Sequence, residues 1–244
     1  MSNEKNYRKE SAAKLLYQLA RIRELHHRWD TEFADPPKTG LRRYQSQRLL
    51  ATHADLVESP RYRPAVEFFS KELYGDRDFT RRDQDIERAY PIIVRTMPGN
   101  ALQAVIMAVE LNALSQELDA GLLRVLIGEF GFRETLDDAL YVQAYRHCDN
   151  QLQRRRQIEL ISILGRNLEW IVAKPLVYTA LRMARGPAHL AGFGELQQFI
   201  EAGFAAFRHM GKAKEFLATV IHRETTILDR IYTHHPRPFD LSVS

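Results

Sequence analysis

Cysteine is almost absent from this chain, because Cys148 is the only one among 244 residues. One thiol cannot close an intrachain disulfide, and it cannot supply the several cysteine ligands of a structural zinc site. Such sparse cysteine usage is typical of proteins in a reducing compartment. The first residues, MSNEKNYRKESAAK, also lack the apolar run of a secretory signal peptide. We therefore expect a cytoplasmic protein.

Turn-forming residues and long apolar runs are scarce as well. The 12 glycines and 10 prolines are too few for a turn-rich β-sandwich. The longest apolar stretches, such as ALQAVIMAVELNALS, are interrupted by Gln103 and Glu110 before they reach the roughly 20 residues of a membrane-spanning helix. The sequence therefore predicts no membrane span.

Lysine is rare among the basic residues, since only 8 of the 35 are lysine and the other 27 are arginine. The 31 acidic residues are interspersed with them and leave a net charge of +4. This pattern favours ion pairs on helix surfaces. The run Arg154-Arg155-Arg156 wraps around its helix instead of forming a continuous basic face, so we expect no nucleic-acid partner.

Apolar residues recur with helical period from about residue 8 to residue 232, and no stretch alternates with period two. The sequence thus predicts an all-α fold: a single domain over residues 1–244 with about eight to ten helices in orthogonal or globin-like packing. The polar segments 1–8 and 233–244 are expected to be disordered. Proline and glycine predict a linker at 35–40 and a loop framed by residues 186–187 and 192–194. Pro175 predicts a kink or two abutting helices.

The most distinctive local pattern lies between residues 62 and 98. Phe68 and Phe69 lie on adjacent stripes of a helix that begins near Pro64, and Gly75 predicts its end. The segment FFSKELYG followed by DFTRRDQDIERAYP resembles the bacterial proteins labelled by an FFLEELY motif, a family with no assigned activity. Ser70 and Lys71 replace the Leu and the first Glu of that motif. The resemblance implies a helical fold and no particular chemistry, and we expect Phe68 or Phe69 to be fully buried.

Three histidines, His26, His53 and His147, lie on predicted buried faces of helices. A neutral imidazole in such a place can bind haem or act as a general base. The more frequent situation is a core histidine that hydrogen-bonds a carboxylate or a carbonyl. His26 and His147 are the candidate ligand-binding residues of this group, and Trp29 lies one turn beyond His26.

Two carboxylates complete the candidate ligand-binding residues. Glu110 is seven residues before Glu117, which places both on one face of their helix at roughly 10 Å. They could flank a polar pocket or form a salt-bridged helix edge. Glu224 lies within the apolar stripe of the last helix, where a carboxylate must be paired or protonated, and we expect an arginine partner.

These observations leave two classes of function open. The sequence favours a non-enzymatic helical protein that binds a protein partner or an apolar ligand. The alternative is a sensor or enzyme that depends on haem or a metal and uses one of the buried histidines. We predict no catalytic residue and no metal ligand.

Overall fold

A computed structural model describes residues 2–74 and 80–242, and all regular secondary structure in these ranges is helical. The all-α prediction is therefore confirmed. The eleven helices of the described residues are α1 (Ser2–Glu32), α2 (Asp35–Thr52), α3 (Ala54–Glu58), α4 (Arg63–Tyr74), α5 (Thr80–Thr96), α6 (Gly99–Phe130), α7 (Asp138–His147), α8 (Gln151–Val172), α9 (Pro175–Leu190), α10 (Gly194–Met210) and α11 (Lys214–Tyr232).

The long helix α6 is the centre of the molecule. It packs against α1, α7 and α8, and its buried side chains belong to three separate apolar clusters. A second group of helices, α4, α10 and α11, closes around a further cluster that contains the fully buried Phe207. Burial of apolar side chains in these clusters therefore stabilises the fold.

The motif helix α4 packs against α10. Phe68 contacts Phe199, with 5.5 Å between the ring centroids, and Phe69 contacts Phe207 edge-on at 5.9 Å. A Cβ on Gly203 would lie only 2.9 Å from the Phe68 ring, which explains why glycine occupies that position in α10. Both phenylalanines are nonetheless half-buried, so the prediction that one of them is fully buried was wrong.

Several predicted breaks differ from the structure. The segment 35–40 is the first part of α2, because proline is well suited to the first helical turn. Gly186 and Pro187 lie inside α9 instead of in a loop. Pro175 separates α8 from α9, which confirms the prediction of two abutting helices. The helix end predicted at Gly75 lies outside the described residues.

The segments that we expected to be disordered are folded where the structure describes them. Helix α1 begins at Ser2. In the C-terminal tail, Pro238 is buried and Phe239 packs against Tyr141, with 6.3 Å between the ring centroids. The tail is ordered because the apolar side chain of Phe239 packs at the edge of the core. The polar composition of the tail did not indicate this contact.

Hydropathy agrees with the prediction about membrane spans. Along the described parts of the chain, every helix is too short or too polar to cross a lipid bilayer.

Candidate functional site

One set of polar contacts is centred on Glu224 of α11. Arg48 of α2 lies with Nη1 at 2.8 Å from both carboxylate oxygens, and Nε2 of His53 lies 3.1 Å from Oε1. His53 caps the C-terminus of α2 and is 1% exposed, and the Glu224 side chain is 18% exposed. Glu224 therefore has the arginine partner expected from the sequence. We call Arg48, His53 and Glu224 the Glu224 cluster.

The electrostatics of this cluster keep Glu224 ionised. Burial alone would raise the pKa of its carboxyl group, but the charge of Arg48 and the hydrogen bond from His53 outweigh it and lower the pKa from 4.5 to about 2. The imidazole Nδ1 of His53 meets no hydrogen-bond partner among the described residues. The arrangement is that of a structural ion pair joining α2 to α11.

A second set of polar contacts begins one turn earlier on α2. Gln45 donates from Nε2 to Asp119 Oδ1 of α6 at 2.8 Å, and Arg154 Nη1 of α8 lies 3.9 Å from the same oxygen. Arg154 also stacks over the ring of Tyr145 at 4.5 Å. Burial raises the pKa of Asp119, and Arg154 and Gln45 oppose that effect. These contacts connect α2, α6, α7 and α8.

His26 belongs to a third polar cluster, between α1, α5 and α6. Its Nε2 lies 3.2 Å from Asp83 Oδ2, to which Asn112 also donates at 3.0 Å. Burial opposes ionisation of Asp83, but His26 and Arg82 hold the pKa of its carboxyl group below the usual value. His26 is thus bound to a carboxylate, as is common for a core histidine.

The remaining candidates have other contacts. His147 is exposed, and its ring meets the edge of Phe130 at 6.2 Å, so its predicted burial was wrong. Helix α7 turns Tyr141 and Ala144 inward, which directs His147 to the opposite side. Glu110 pairs with Arg156 and Glu117 with Arg21, so these two carboxylates do not share a pocket. The structure therefore brings none of His26, His147, Glu110 and Glu224 together.

The arginine run at 154–156 is distributed over three environments. Arg154 is buried, Arg155 pairs with Asp229, and Arg156 pairs with Glu110 and Glu159. The run therefore does not form a continuous basic face. Across the described residues, no group of three or more His, Cys, Asp or Glu side chains is arranged to hold a metal ion.

The contribution of Glu224 to stability should depend on pH. Its pKa is lower in the folded state than the ordinary 4.5, so its contribution is present above about pH 4.5 and is lost as the pH falls toward 2. A shift of this size corresponds to about 3 kcal/mol. Urea unfolding of the wild type and of Glu224→Gln should show a stability difference that shrinks between about pH 6 and pH 3. A difference that stays constant with pH would contradict the assignment.

A cleft of about 840 Å³ lies between α5 and the start of α10. Asp85 forms an ion pair with Arg88 and accepts a hydrogen bond from the Leu196 amide at 3.3 Å. Arg88 also donates to the Gly192 carbonyl at 2.7 Å. The polar groups of the cleft therefore fix the loop between α9 and α10.

Helix α9 differs from the other long helices because it contains no buried residue. Its inner side faces α10, where Tyr178 stacks on Phe204 at 5.6 Å and Gln197 donates to the Leu181 carbonyl at 2.8 Å. The opposite side carries three large apolar residues spaced by seven, Leu176, Met183 and Leu190, which are 82%, 74% and 93% exposed. Ala180 and Pro187 lie between them. We call these five residues the outer face of α9.

One flank of this face is positively charged. The guanidinium groups of Arg182 and of Arg208 on α10 lie 5.8 and 4.3 Å from the ring of Tyr178. Glu201 forms its ion pair with Arg185, and the charge of Arg182 acts more weakly on the same carboxyl group. At the start of α9, Lys174 lies over Trp170 at 4.6 Å. No acidic residue occurs between 170 and 194. The outer face is therefore apolar and bordered by cations.

Comparison with known proteins gives a family without a function. Residues 12–238 match the family described as a domain of unknown function, DUF8198. The chain belongs to this family. No curated protein and no solved structure matches it. The DUF8198 match includes the Glu224 cluster and all of α9, so both features lie within the part of the chain that defines the family.

The outer face of α9 was missed in the sequence. Two signals could have indicated it: the spacing of Leu176, Met183 and Leu190, and the absence of acidic residues from 170 to 194. Gly186 and Pro187 hid the pattern, because they predicted a loop inside the segment that forms the helix.

Proposed function

We propose that this DUF8198 protein is a non-enzymatic cytoplasmic helical protein that binds a protein partner through the outer face of α9. One observation carries the proposal: the solvent-facing side of a 16-residue helix is apolar and uncharged. A helix that is apolar on both its inner and its outer side is normally covered. Contiguous exposed apolar surface of this kind marks interaction sites.

A protein partner is favoured over an apolar small molecule because of the shape of the surface. Sites for small molecules are concave and bury most of the ligand. The outer face of α9 is the convex side of a helix, and the depression of about 330 Å³ beside Tyr178, Arg182 and Met183 is open to solvent. The ridge of Leu176, Met183 and Leu190, with the smaller Ala180 and Pro187 between, is suited to packing against another helix.

The alternative, a haem- or metal-dependent sensor or enzyme using a buried histidine, has less support. The Nε2 atoms of His26 and His53 both face carboxylates that are also contacted by an arginine. Such contacts suit a structural role for both histidines. We therefore assign the binding function to α9 and not to the histidines.

An uncharged apolar dye tests the proposal without relying on the neighbouring cations. Nile red should bind the wild type, and Met183→Glu should weaken that binding by about tenfold, since it places a charge at the centre of the apolar face. Leu152→Glu is the matched control. Leu152 is also apolar and 79% exposed, but it lies at the start of α8, at the end that is not connected to α9. Circular dichroism would verify that both variants fold. Equal dye binding by Met183→Glu and the wild type would overturn the proposal.

A further inference from the structure

The chemistry of the α9 surface indicates what kind of protein segment it binds. We infer that the partner presents an acidic amphipathic helix, whose apolar stripe lies on the outer face of α9 and whose carboxylates meet Arg182 and Arg208. This inference rests on the proposed function and specifies its partner.

The apolar part of the argument is the spacing along α9. Leu176, Met183 and Leu190 repeat every seven residues, which keeps them on one side of the helix. The positions one turn after the first two are Ala180 and Pro187, which leave room for side chains of a partner. Helices bind in this way when an apolar stripe meets a complementary ridge and groove.

The electrostatic part of the argument is the single cationic flank. The guanidinium groups of Arg182 and Arg208 both lie over the ring of Tyr178. Arg182 also interacts with Glu201, but that carboxylate forms its ion pair with Arg185, so the arginines here outnumber the acid. A helix lying on the outer face would place one of its own flanks beside these guanidinium groups. Carboxylates on that flank would be attracted and lysines repelled, which gives selectivity between partners.

Two other occupants fit the surface less well. An antiparallel second copy would bring its own arginine flank against this one and create repulsion between like charges. A helix that lies in a membrane surface has cations along its whole polar side. In α9 that side is packed on α10, and Arg185 there is paired with Glu201.

The test uses two synthetic helical peptides with the full-length protein. Each peptide is about three heptads long with leucine at the two stripe positions. One carries glutamate at the flanking positions and the other carries lysine there. Fluorescence anisotropy at low salt should show the glutamate peptide binding at least about tenfold more tightly. The preference should fall at about 300 mM salt, because exposed charges are then screened.

Variants separate the two parts of the surface. The double variant Arg182→Glu, Arg208→Glu should lose the preference for the glutamate peptide, and Met183→Glu should weaken both peptides. Leu152→Glu should behave as the wild type. Equal binding of the two peptides, or preference for the lysine peptide, would overturn the inference while leaving the proposed function intact if Nile red still depends on Met183.

Two further measurements address the other occupants. Vesicles of phosphatidylcholine with phosphatidylglycerol should not sediment the protein. Analytical ultracentrifugation should show either no self-association or a self-association that Met183→Glu leaves unchanged. Vesicle binding, or self-association that Met183→Glu abolishes, without binding of either peptide, would overturn the acidic-helix inference. Loss of Nile red dependence on Met183 would instead refute the proposed function itself.

Discussion

Replacing Glu224 by glutamine is expected to lower the free energy of unfolding by about 3–5 kcal/mol at neutral pH. The substitution removes the carboxylate that faces Arg48, whose side chain is nearly buried between α2 and α11. A buried charge that loses its counter-charge is costly because water cannot replace the lost interaction. Urea-induced unfolding, followed by circular dichroism, measures the loss.

Glu110→Gln provides the control for that result. Glu110 also pairs with an arginine, Arg156, at 2.9 Å, but the side chain of that arginine is 44% exposed, against 11% for Arg48. Exposed pairs of this kind contribute under about 1 kcal/mol. If the two glutamine variants lose similar stability, burial of the Glu224 cluster is not what makes its ion pair important.

Replacing Gly40 by alanine is expected to destabilise the protein by about 2–3 kcal/mol, as overpacking of a tight core commonly does. A Cβ at this position of α2 would overlap the backbone carbonyl of Glu134 and would lie 3.1 Å from the ring of the buried Phe132. A backbone group cannot move aside as the end of a flexible side chain can. Thermal and urea unfolding should both report the loss.

The corresponding substitution in α6, Gly121→Ala, should increase the stability of the protein. A Cβ at Gly121 meets nothing within 4 Å, so Gly121→Ala removes only the conformational cost of glycine in a helix. We expect it to stabilise the protein by about 0.5–1 kcal/mol. Destabilisation by both substitutions to the same extent would show that close approach of the backbone at Gly40 is not the cause.

The helical fold could be predicted from the sequence because helical period is a local property. The break before Pro175 was predicted for the same reason, since it depends on one residue within a short pattern. The segment 35–40 was misassigned because Pro36 and Pro37 are compatible both with a linker and with a first helical turn. Local sequence alone does not distinguish the two.

The candidate site was harder to predict because it depends on which side of each helix is covered. His147 and one of Phe68 and Phe69 were assigned to buried positions from apolar periodicity, but the neighbours that cover a helix come from distant parts of the chain. Glu224 was placed correctly in an apolar stripe, and its arginine partner was expected. That partner, Arg48, is separated from Glu224 by 176 residues, so its identity could not be inferred from the pattern.

Helix α6, roughly 48 Å long, passes through three of the apolar clusters. Disruption of the packing in one cluster therefore affects a helix that also packs in the other two. This part of the molecule should unfold as one cooperative unit. Helix α9 contributes no buried side chain to any cluster. It can tilt or shift at little cost to the rest, so the surface proposed for binding can adapt to its partner while the body of the protein stays rigid.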